Sequence, residues 1–165
     1  RDQGADFSNA TLCRASLSHA NLPGCRFAGA DLTEAALSHT GFEGASFRGA
    51  CLASAVLVQA RLAGADLRQA DLTWAILHDS GLAGASLAGA DFNRSLMAFC
   101  NLKGSNLRGA NFFRVKLGGA DLTGADVAGA DFTEADVGGT VFRDVKGFAE
   151  AKGLDRAENA DKIVR

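Results

Sequence analysis

The sequence predicts an all-β solenoid with four sides and about seven coils, and three observations lead to this architecture. Large apolar residues recur every five positions from Phe7 to Phe142, which gives 28 uninterrupted repeats. A small residue, most often Ala, stands two positions before each of them except Leu117, which has Val115 there, and Asp or Asn frequently stands between the two. Glycines recur 20 positions apart, as in Gly24, Gly44 and Gly64. A helix repeats about every 3.6 residues and a strand every two, so neither explains a period of five.

Each five-residue repeat is predicted to form one short straight side followed by a turn. The small and the large residue then both point inward, and the residues beside them point outward. Four sides close one coil of 20 residues, because the glycines that follow the large residues return at that interval. Glycine tolerates positive φ, so we expect two corners to turn through a residue with positive φ and the other two to turn differently. Successive coils should pair as parallel strands about 4.8 Å apart.

After the last repeat, residues 145–165 are predicted to form a C-terminal cap of short helices. Gly153 would end a first segment, and Asp155 would cap a second one that runs to about Lys162. The apolar residues expected to seal the last coil are Phe148, Leu154 and Ile163. The predicted domain organisation is therefore a β-helix over residues 4–144 followed by this cap.

Composition and charge argue against several classes of protein. The 17 Lys and Arg nearly balance the 19 Asp and Glu, which gives a formal net charge of −2 and no basic surface for nucleic acid. No apolar run approaches the roughly 18 residues that a membrane-spanning helix needs. The four Cys lack the CxxC spacing of a zinc ribbon or a redox motif. Because the chain begins at Arg1, we expect that a leader or a preceding domain was removed; a cytoplasmic location is expected, with an extracytoplasmic or lumenal one as the alternative.

The inventory of catalytic residues is thin, so we predict no enzyme, no metal ion and no cofactor. His19 and His39 occupy equivalent positions on adjacent coils, where two imidazoles about 4.8 Å apart could share a metal ion or respond to pH. The same columns hold no carboxylate or thiol beside them, which favours a plain surface role. His78, Asp79 and Ser80 suggest a nucleophile with its base, but these consecutive positions have no predicted pocket behind them.

The repeats resemble the pentapeptide-repeat family, whose motif is Ala, then Asp or Asn, then Leu, followed by two variable residues. The motif stands in Ala30-Asp31-Leu32 and again in Ala120-Asp121-Leu122. The resemblance covers about residues 4–144 and implies a right-handed parallel quadrilateral β-helix. It implies less about function, because members share a shape and not a chemistry. Family members often dimerise end to end through the C-terminal segment, which is rather polar in this chain.

The outward positions of the third side carry the predicted interaction site. The residues that precede its large residues are Ser16, Ala36, Val56, Ile76, Leu96, Lys116 and Asp136. The middle coils would therefore expose a contiguous apolar patch, which is typical of an interface. The candidate interface comprises Val56, Val58, Trp74, Ile76, His78, Leu96, Phe99, Arg94 and Arg114. Arg94, Arg114 and Lys116 border the patch and could anchor an acidic partner. The alternatives are sequence drift and covering by a segment outside these residues.

We therefore predict a non-catalytic interaction or scaffold module that binds another protein, with a homodimer as one option. It would take no small-molecule substrate and would not bind nucleic acid directly. The family resemblance implies an alternative, a DNA-mimicking binder of bacterial DNA gyrase or topoisomerase of the quinolone-resistance type. A DNA mimic about 33 Å long would display about 20 negative charges, whereas the 19 acidic residues of this chain are nearly cancelled by 17 basic ones.

Overall fold

A computed structural model of the protein describes residues 4–165 as a stack of four-sided coils. The β-structure consists of single bridged residues, one on each side of a coil, and each pairs in parallel with the residue 20 positions later. Coil 1 comprises residues 5–24, and coil 7 ends at residue 144. The four columns of bridged residues define faces 1 to 4, which begin at Asp6, Thr11, Ser16 and Asn21. The predicted lap of 20 residues is confirmed.

Backbone hydrogen bonds join each coil to the next. On face 1, the amide of Phe7 donates to the carbonyl oxygen of Arg26 (2.7 Å), and the amide of Asn9 donates to that of Ala28 (2.9 Å). The amide of Arg26 donates back to Ala5 (2.9 Å). The same pattern repeats on every face, so the backbone of one coil fixes the register of its neighbours.

The interior is a column of small and large side chains, most of which are apolar. The inward residues of coils 2 to 7 are almost all fully buried, and coil 1 contributes half-buried ones. Phenylalanines stack vertically: the ring centroids of Phe92 and Phe112 lie 5.1 Å apart, and those of Phe112 and Phe132 lie 4.9 Å apart. A second stack consists of Phe7, Phe27 and Phe47. The interior therefore offers no room for a substrate.

All four corners of the coils turn through residues with positive φ, so the expectation that two corners turn differently is wrong. Glycine occupies most corners after faces 1 and 4, for example Gly24 with φ 64°. Apart from Gly119 and Gly139, the corners after faces 2 and 3 carry side chains, for example Trp74 and Phe99, both with φ 60°. The left-handed conformation costs a residue with a side chain only about 1–2 kcal/mol. Hydrogen bonds to the coils above and below hold these corners in place.

Residues 145–165 form an eighth coil that lies on coil 7. Its bridges are Asp126 with Lys146, Asp131 with Lys152, Asp136 with Glu158, and Val141 with Val164. The bridged residues of this coil are therefore six positions apart instead of five. Three 3₁₀ helices accommodate the extra residues: Phe148–Glu150, Leu154–Arg156 and Ala160–Lys162.

The predicted short helices at the C-terminus thus exist as the corners of this eighth coil. The predicted capping role of Asp155 is wrong, because Leu154–Arg156 follows Gly153 in the left-handed conformation and no side chain caps it. The apolar residues predicted to seal the last coil, Phe148, Leu154 and Ile163, do pack against the core. Within residues 4–165, no helix is long and apolar enough to cross a membrane.

Candidate functional site

The predicted patch lies on face 3 of coils 3 to 5, where three branched apolar residues are stacked in register. Val56 is bridged to Ile76, and Ile76 is bridged to Leu96. The amide of Ile76 donates to the carbonyl oxygen of Ala55 (2.9 Å), and the amide of Leu77 donates to that of Leu96 (2.7 Å). The neighbours of these three residues along the chain point into the core, so the three side chains must point outward and remain half-buried.

The same three coils carry different residues at the equivalent positions of the other faces. Face 1 has Ser46, Asp66 and Ser86; face 2 has Cys51, Asp71 and Asp91; face 4 has Arg61, Gly81 and Asn101. Aliphatic side chains thus occupy this outward column on face 3 alone in these coils. The backbone does not require them there, because polar residues satisfy the same geometry on the adjoining faces.

Two exposed aromatic residues flank the patch at opposite corners. Trp74 lies at the corner between faces 2 and 3 and is 56% exposed. The guanidinium carbon of Arg94, which lies one coil above, is 5.0 Å from the centroid of the Trp74 ring. Arg94 makes no ion pair within residues 4–165, so its charge is available beside the indole.

Phe99 lies at the corner between faces 3 and 4 and is 67% exposed. Its ring lies over the backbone of Gly119, where an added Cβ would approach the Phe99 Cδ1 to 2.6 Å. Gly119 therefore leaves room for this ring orientation. The sequence does not indicate this role of Gly119, because glycine at a corner position is expected for backbone reasons alone.

Val58 and His78 form a second half-buried column on the same face. The next residues of coil 4 diverge: Asp79 lies exposed at the corner, while the side chain of Ser80 is buried with its Oγ 3.3 Å from the Cys100 Sγ. Ser80 is therefore not a surface residue. His78, Asp79 and Ser80 point in different directions and form no catalytic set.

The cations on the C-terminal side of the patch are already paired. The Nε of Arg114 lies 2.6 Å from a carboxylate oxygen of Glu134, and its guanidinium carbon is 4.9 Å from the centroid of the Phe113 ring. The Nζ of Lys116 lies 3.1 Å from a Glu158 carboxylate oxygen and 3.9 Å from one of Asp136. Of the two arginines predicted to anchor an acidic partner, only Arg94 has a free charge in the described chain.

The two histidines outside the patch stack as the repeat predicts. The ring centroids of His19 and His39 are 4.8 Å apart, and the rings are inclined by 7°. Both are exposed. Residues 4–165 contain no group of three or more His, Cys, Asp or Glu side chains that could hold a metal ion.

Most aspartates on the faces stabilise the turn that follows them. The Oδ1 of Asp71 accepts the amide of Thr73 (2.9 Å), and the Oδ1 of Asp131 accepts both the amide (2.9 Å) and the hydroxyl (2.6 Å) of Thr133. These bonds to Thr133 hold the pKa of Asp131 below its ordinary value. The aspartates thus have a structural role that requires no ligand.

A shallow groove of about 260 Å³ lies at the C-terminal end of the rod, away from the patch. Its lining residues are Phe142, Arg143, Asp144, Val145, Phe148 and Arg165. The guanidinium carbon of Arg165 is 4.9 Å from the centroid of the Phe148 ring. This volume is smaller than the range usual for ligand pockets, about 300–1,000 Å³.

Comparison with known proteins agrees with the architecture. The model of the family described as pentapeptide repeats matches residues 5–49, 41–79, 75–112 and 110–146, with eight copies. HetL, a pentapeptide repeat protein involved in heterocyst differentiation regulation in the cyanobacterium Nostoc sp. strain PCC 7120, is 30% identical; the match covers 97% of this chain and 78% of HetL, with a TM-score of 0.48. No curated protein is similar enough to count as a match.

A second solved structure shows the fold alone. QnrB1, a plasmid-mediated fluoroquinolone resistance protein, is 19% identical to this chain; the match covers 98% of this chain and 89% of QnrB1, with a TM-score of 0.60. Pentapeptide repeat proteins form right-handed quadrilateral β-helices and are generally structural or interaction modules. The predicted fold class is therefore confirmed. On its repeats and on the match to the family model over more than half of its length, the chain belongs to the pentapeptide repeat family.

Proposed function

We propose that this protein is a non-catalytic module that binds another protein through face 3 of coils 3 to 5. The observation that carries the proposal is the replacement of polar residues by Val56, Ile76 and Leu96 in one outward column. These residues add nothing to the core, because their neighbours along the chain fill it. Contiguous apolar surface that the fold does not need is typical of an interface.

The aromatic corners support the same interpretation. Trp74 and Phe99 are two of the three large hydrophobic residues that are exposed within residues 4–165. Both have positive φ, which a residue with a side chain adopts at a cost of about 1–2 kcal/mol. Tryptophan and arginine are enriched among the residues that dominate binding energy, and Trp74 carries Arg94 on its ring. A rigid solenoid also presents these side chains already positioned, so little backbone entropy is lost on binding.

Changing Ile76 and Leu96 together to Asp is expected to abolish association and to leave the fold intact. Asp is compatible with this column: on face 2, the Oδ1 of Asp91 accepts the amide of Asn93 (2.9 Å), and Ile76→Asp could accept the amide of His78 in the same way. Two charges in an apolar contact would remain unpaired and desolvated, which costs several kcal/mol. Sedimentation velocity and co-purification from an extract of the source cells measure association; circular dichroism and thermal unfolding measure the fold.

The matched control places the same two charges on another face. Ser86→Asp with Asn106→Asp occupies the same outward column position on face 1, on neighbouring coils. We expect this variant to associate like the unmodified protein. Equal loss of association in both double variants, or unchanged association in both, would contradict the proposal.

The charge distribution gives no support to the alternative of a DNA mimic. Basic residues pair with many of the surface carboxylates, as in Arg68 with Asp66 (2.7 Å) and Arg108 with Asp126 (3.1 Å). On face 2, Cys51 and Asn111 interrupt the line of aspartates.

In a DNA supercoiling assay, we therefore expect micromolar protein to leave gyrase activity unchanged and to give no protection from a quinolone. Dose-dependent inhibition or protection would restore the DNA-mimic interpretation. A variant in which Asp71 and Asp91 are changed to Asn would then test whether the acidic column is responsible.

A further inference from the structure

The corner between faces 2 and 3 is named the 2–3 ridge. The order of charged residues along this ridge is such that a second copy, placed with its coils in the opposite order, would present opposite charges at both ends. Its residues, from coil 1 to coil 7, are Arg14, Glu34, Ser54, Trp74, Arg94, Arg114 and Glu134. An arginine–glutamate pair therefore lies at each end, on coils 1–2 and on coils 6–7, and Trp74 lies midway. When a second copy of the ridge lies alongside with its coils in the opposite order, each arginine of a terminal pair lies opposite a glutamate of that copy.

The terminal pairs are exposed enough to meet another surface. The Nε of Arg14 lies 2.8 Å from a Glu34 oxygen, and the two side chains are 77% and 49% exposed. The Arg114 and Glu134 side chains are 46% and 47% exposed. Arg14 holds the pKa of Glu34 below its ordinary value, so both partners of that pair are charged at neutral pH.

Face 3 is compatible with the same reversal. With coil 4 as the midpoint, Val56 of one copy meets Leu96 of the other, and Ile76 meets Ile76. Beyond this centre, Ala36 lies opposite Lys116, and the polar end residues Ser16 and Asp136 lie opposite each other. The apolar centre thus lies on the midpoint that the charge pattern requires.

The corner between faces 3 and 4, the 3–4 ridge, is complementary in size. Its residues, from coil 1 to coil 7, are His19, His39, Gln59, Asp79, Phe99, Gly119 and Gly139. Under reversal, the imidazole of His19 lies opposite Gly139, which has no side chain, and the imidazole of His39 lies opposite Gly119, over which the ring of Phe99 is placed. The one contact between like charges is Asp79 with its own copy, beside His78.

We propose that the occupant of this surface is a second copy of the chain, in an antiparallel face-to-face dimer. Its two-fold axis runs along the strand direction of face 3 at coil 4, so that each ridge meets itself with the coil order reversed. Arg14 then pairs with Glu134 of the second copy, and Glu34 pairs with Arg114 of the second copy. A two-fold contact of this kind closes on itself and stops at two chains. The proposal rests on the proposed function, because it names the partner of the same face.

A parallel dimer on a two-fold axis along the rod would use the charges less well. Each coil would meet its own copy, and the 2–3 ridge would meet the 3–4 ridge. Arg14 would then lie opposite His19, and Arg114 would lie opposite Gly119. No guanidinium would meet a carboxylate across the contact, so the charge pattern favours the antiparallel dimer.

A swap of charges tests the ridge without breaking the ion pairs inside one chain. In Arg14→Glu with Glu34→Arg, the two residues still pair with each other, but both meet like charges on the second copy. We expect the dissociation constant measured by sedimentation to rise about tenfold or more. Adding Arg114→Glu and Glu134→Arg makes every intermolecular contact attractive again and should restore the dimer. A half-swapped variant that dimerises normally, or a full swap without rescue, would overturn the proposal.

Cross-linking tests the orientation directly. In a background with Cys13→Ser and Cys51→Ser, a single Asp79→Cys is expected to give a covalent dimer with a short bismaleimide. Ala36→Cys should not cross-link to itself, because the antiparallel dimer separates the two copies of residue 36 by about 19 Å along the rod. A mixture of Ala36→Cys and Lys116→Cys, distinguished by tags of different mass, should give the mixed dimer.

The outcomes also separate this proposal from the proposed function. Self-cross-linking of Ala36→Cys would indicate the parallel dimer and overturn the antiparallel one. A protein that stays monomeric and forms none of these cross-links would overturn the second copy as the occupant. In that case the variant with Ile76→Asp and Leu96→Asp would still show whether face 3 binds a different protein.

Discussion

Replacing Phe112 by Ala is expected to lower the free energy of unfolding by about 4 kcal/mol. Phe112 is fully buried, and its ring is stacked between Phe92 and Phe132 with centroids 5.1 and 4.9 Å away. Removing the middle ring leaves a void between two rings whose backbones are fixed by inter-coil hydrogen bonds. The coils cannot approach each other to close it, so the cost should lie near the top of the range for large-to-small changes. Urea unfolding followed by circular dichroism measures the loss.

Phe7→Ala is the matched control at the N-terminal end of the described rod. Phe7 is half-buried and stacks on one ring, Phe27, at 5.0 Å. We expect a loss of about 2 kcal/mol, because fewer contacts are removed and the site is partly solvated. Equal losses in Phe7→Ala and Phe112→Ala would mean that position along the stack does not determine the cost.

Replacing Gly153 by Ala is expected to detach the eighth coil from the seventh. Gly153 has φ 72°, and an added Cβ would fall within 2.5 Å of backbone atoms of Thr133. Both the left-handed conformation and the collision oppose the change, with a combined cost of about 2–4 kcal/mol. Hydrogen exchange reports the effect: the amides of Lys152 and Glu158, which donate to Ala130 and Ala135 (2.8 Å each), should lose protection.

Gly124→Ala separates the two causes of that loss. Gly124 has nearly the same φ, 70°, but an added Cβ would meet nothing within 4 Å. It should therefore cost only the conformational term of about 1 kcal/mol and leave the protection of Lys152 and Glu158 unchanged. If Gly124→Ala and Gly153→Ala behave alike, contact with Thr133 is not what makes Gly153 necessary.

The repeating part of the fold could be predicted from the sequence because inward and outward positions alternate without interruption. The corners could not be predicted equally well. The left-handed conformation is open at a modest cost to many residue types that lack β-branching, so Trp74 and Arg94 give no sign of it in the sequence. Glycine is the one residue type at these corners whose presence indicates positive φ, and it is rare at the corners after faces 2 and 3.

The eighth coil can be predicted from the sequence only if the repeat is allowed to change from five residues to six. Gly147, Gly153 and Asn159 stand six residues apart. Each of them adopts the left-handed conformation and directly precedes a 3₁₀ helix. A period of five does not match this spacing. For that reason the sequence predicts separate short helices over residues 145–165 instead of a further coil. Inserting one residue per side leaves the direction of the chain around the rod unchanged, because each added residue is taken up by a tighter helical corner.

The sequence predicts which outward residues of the candidate site are stacked in one column, but it does not predict the contacts between their neighbouring side chains. That Val56, Ile76 and Leu96 are stacked follows from the lap of 20 residues. The pairing of Arg114 with Glu134 and the position of Arg94 over Trp74 depend on side-chain conformations, which the column position does not determine. For the same reason, the complementary order of charges along the 2–3 ridge emerges only when the corner residues are known to share one edge of the rod.

The switch to six residues per side limits how such a rod can be extended. Bridged partners are 20 residues apart at Lys146, and the offset grows to 21, 22 and 23 at the following sides. A coil with five residues per side added beyond this point would have to pair with six-residue sides, the reverse of the mismatch that the 3₁₀ corners accommodate between coils 7 and 8. Duplicating a 20-residue unit can therefore lengthen the molecule without any change of spacing only where it is inserted between two coils that both have five residues per side.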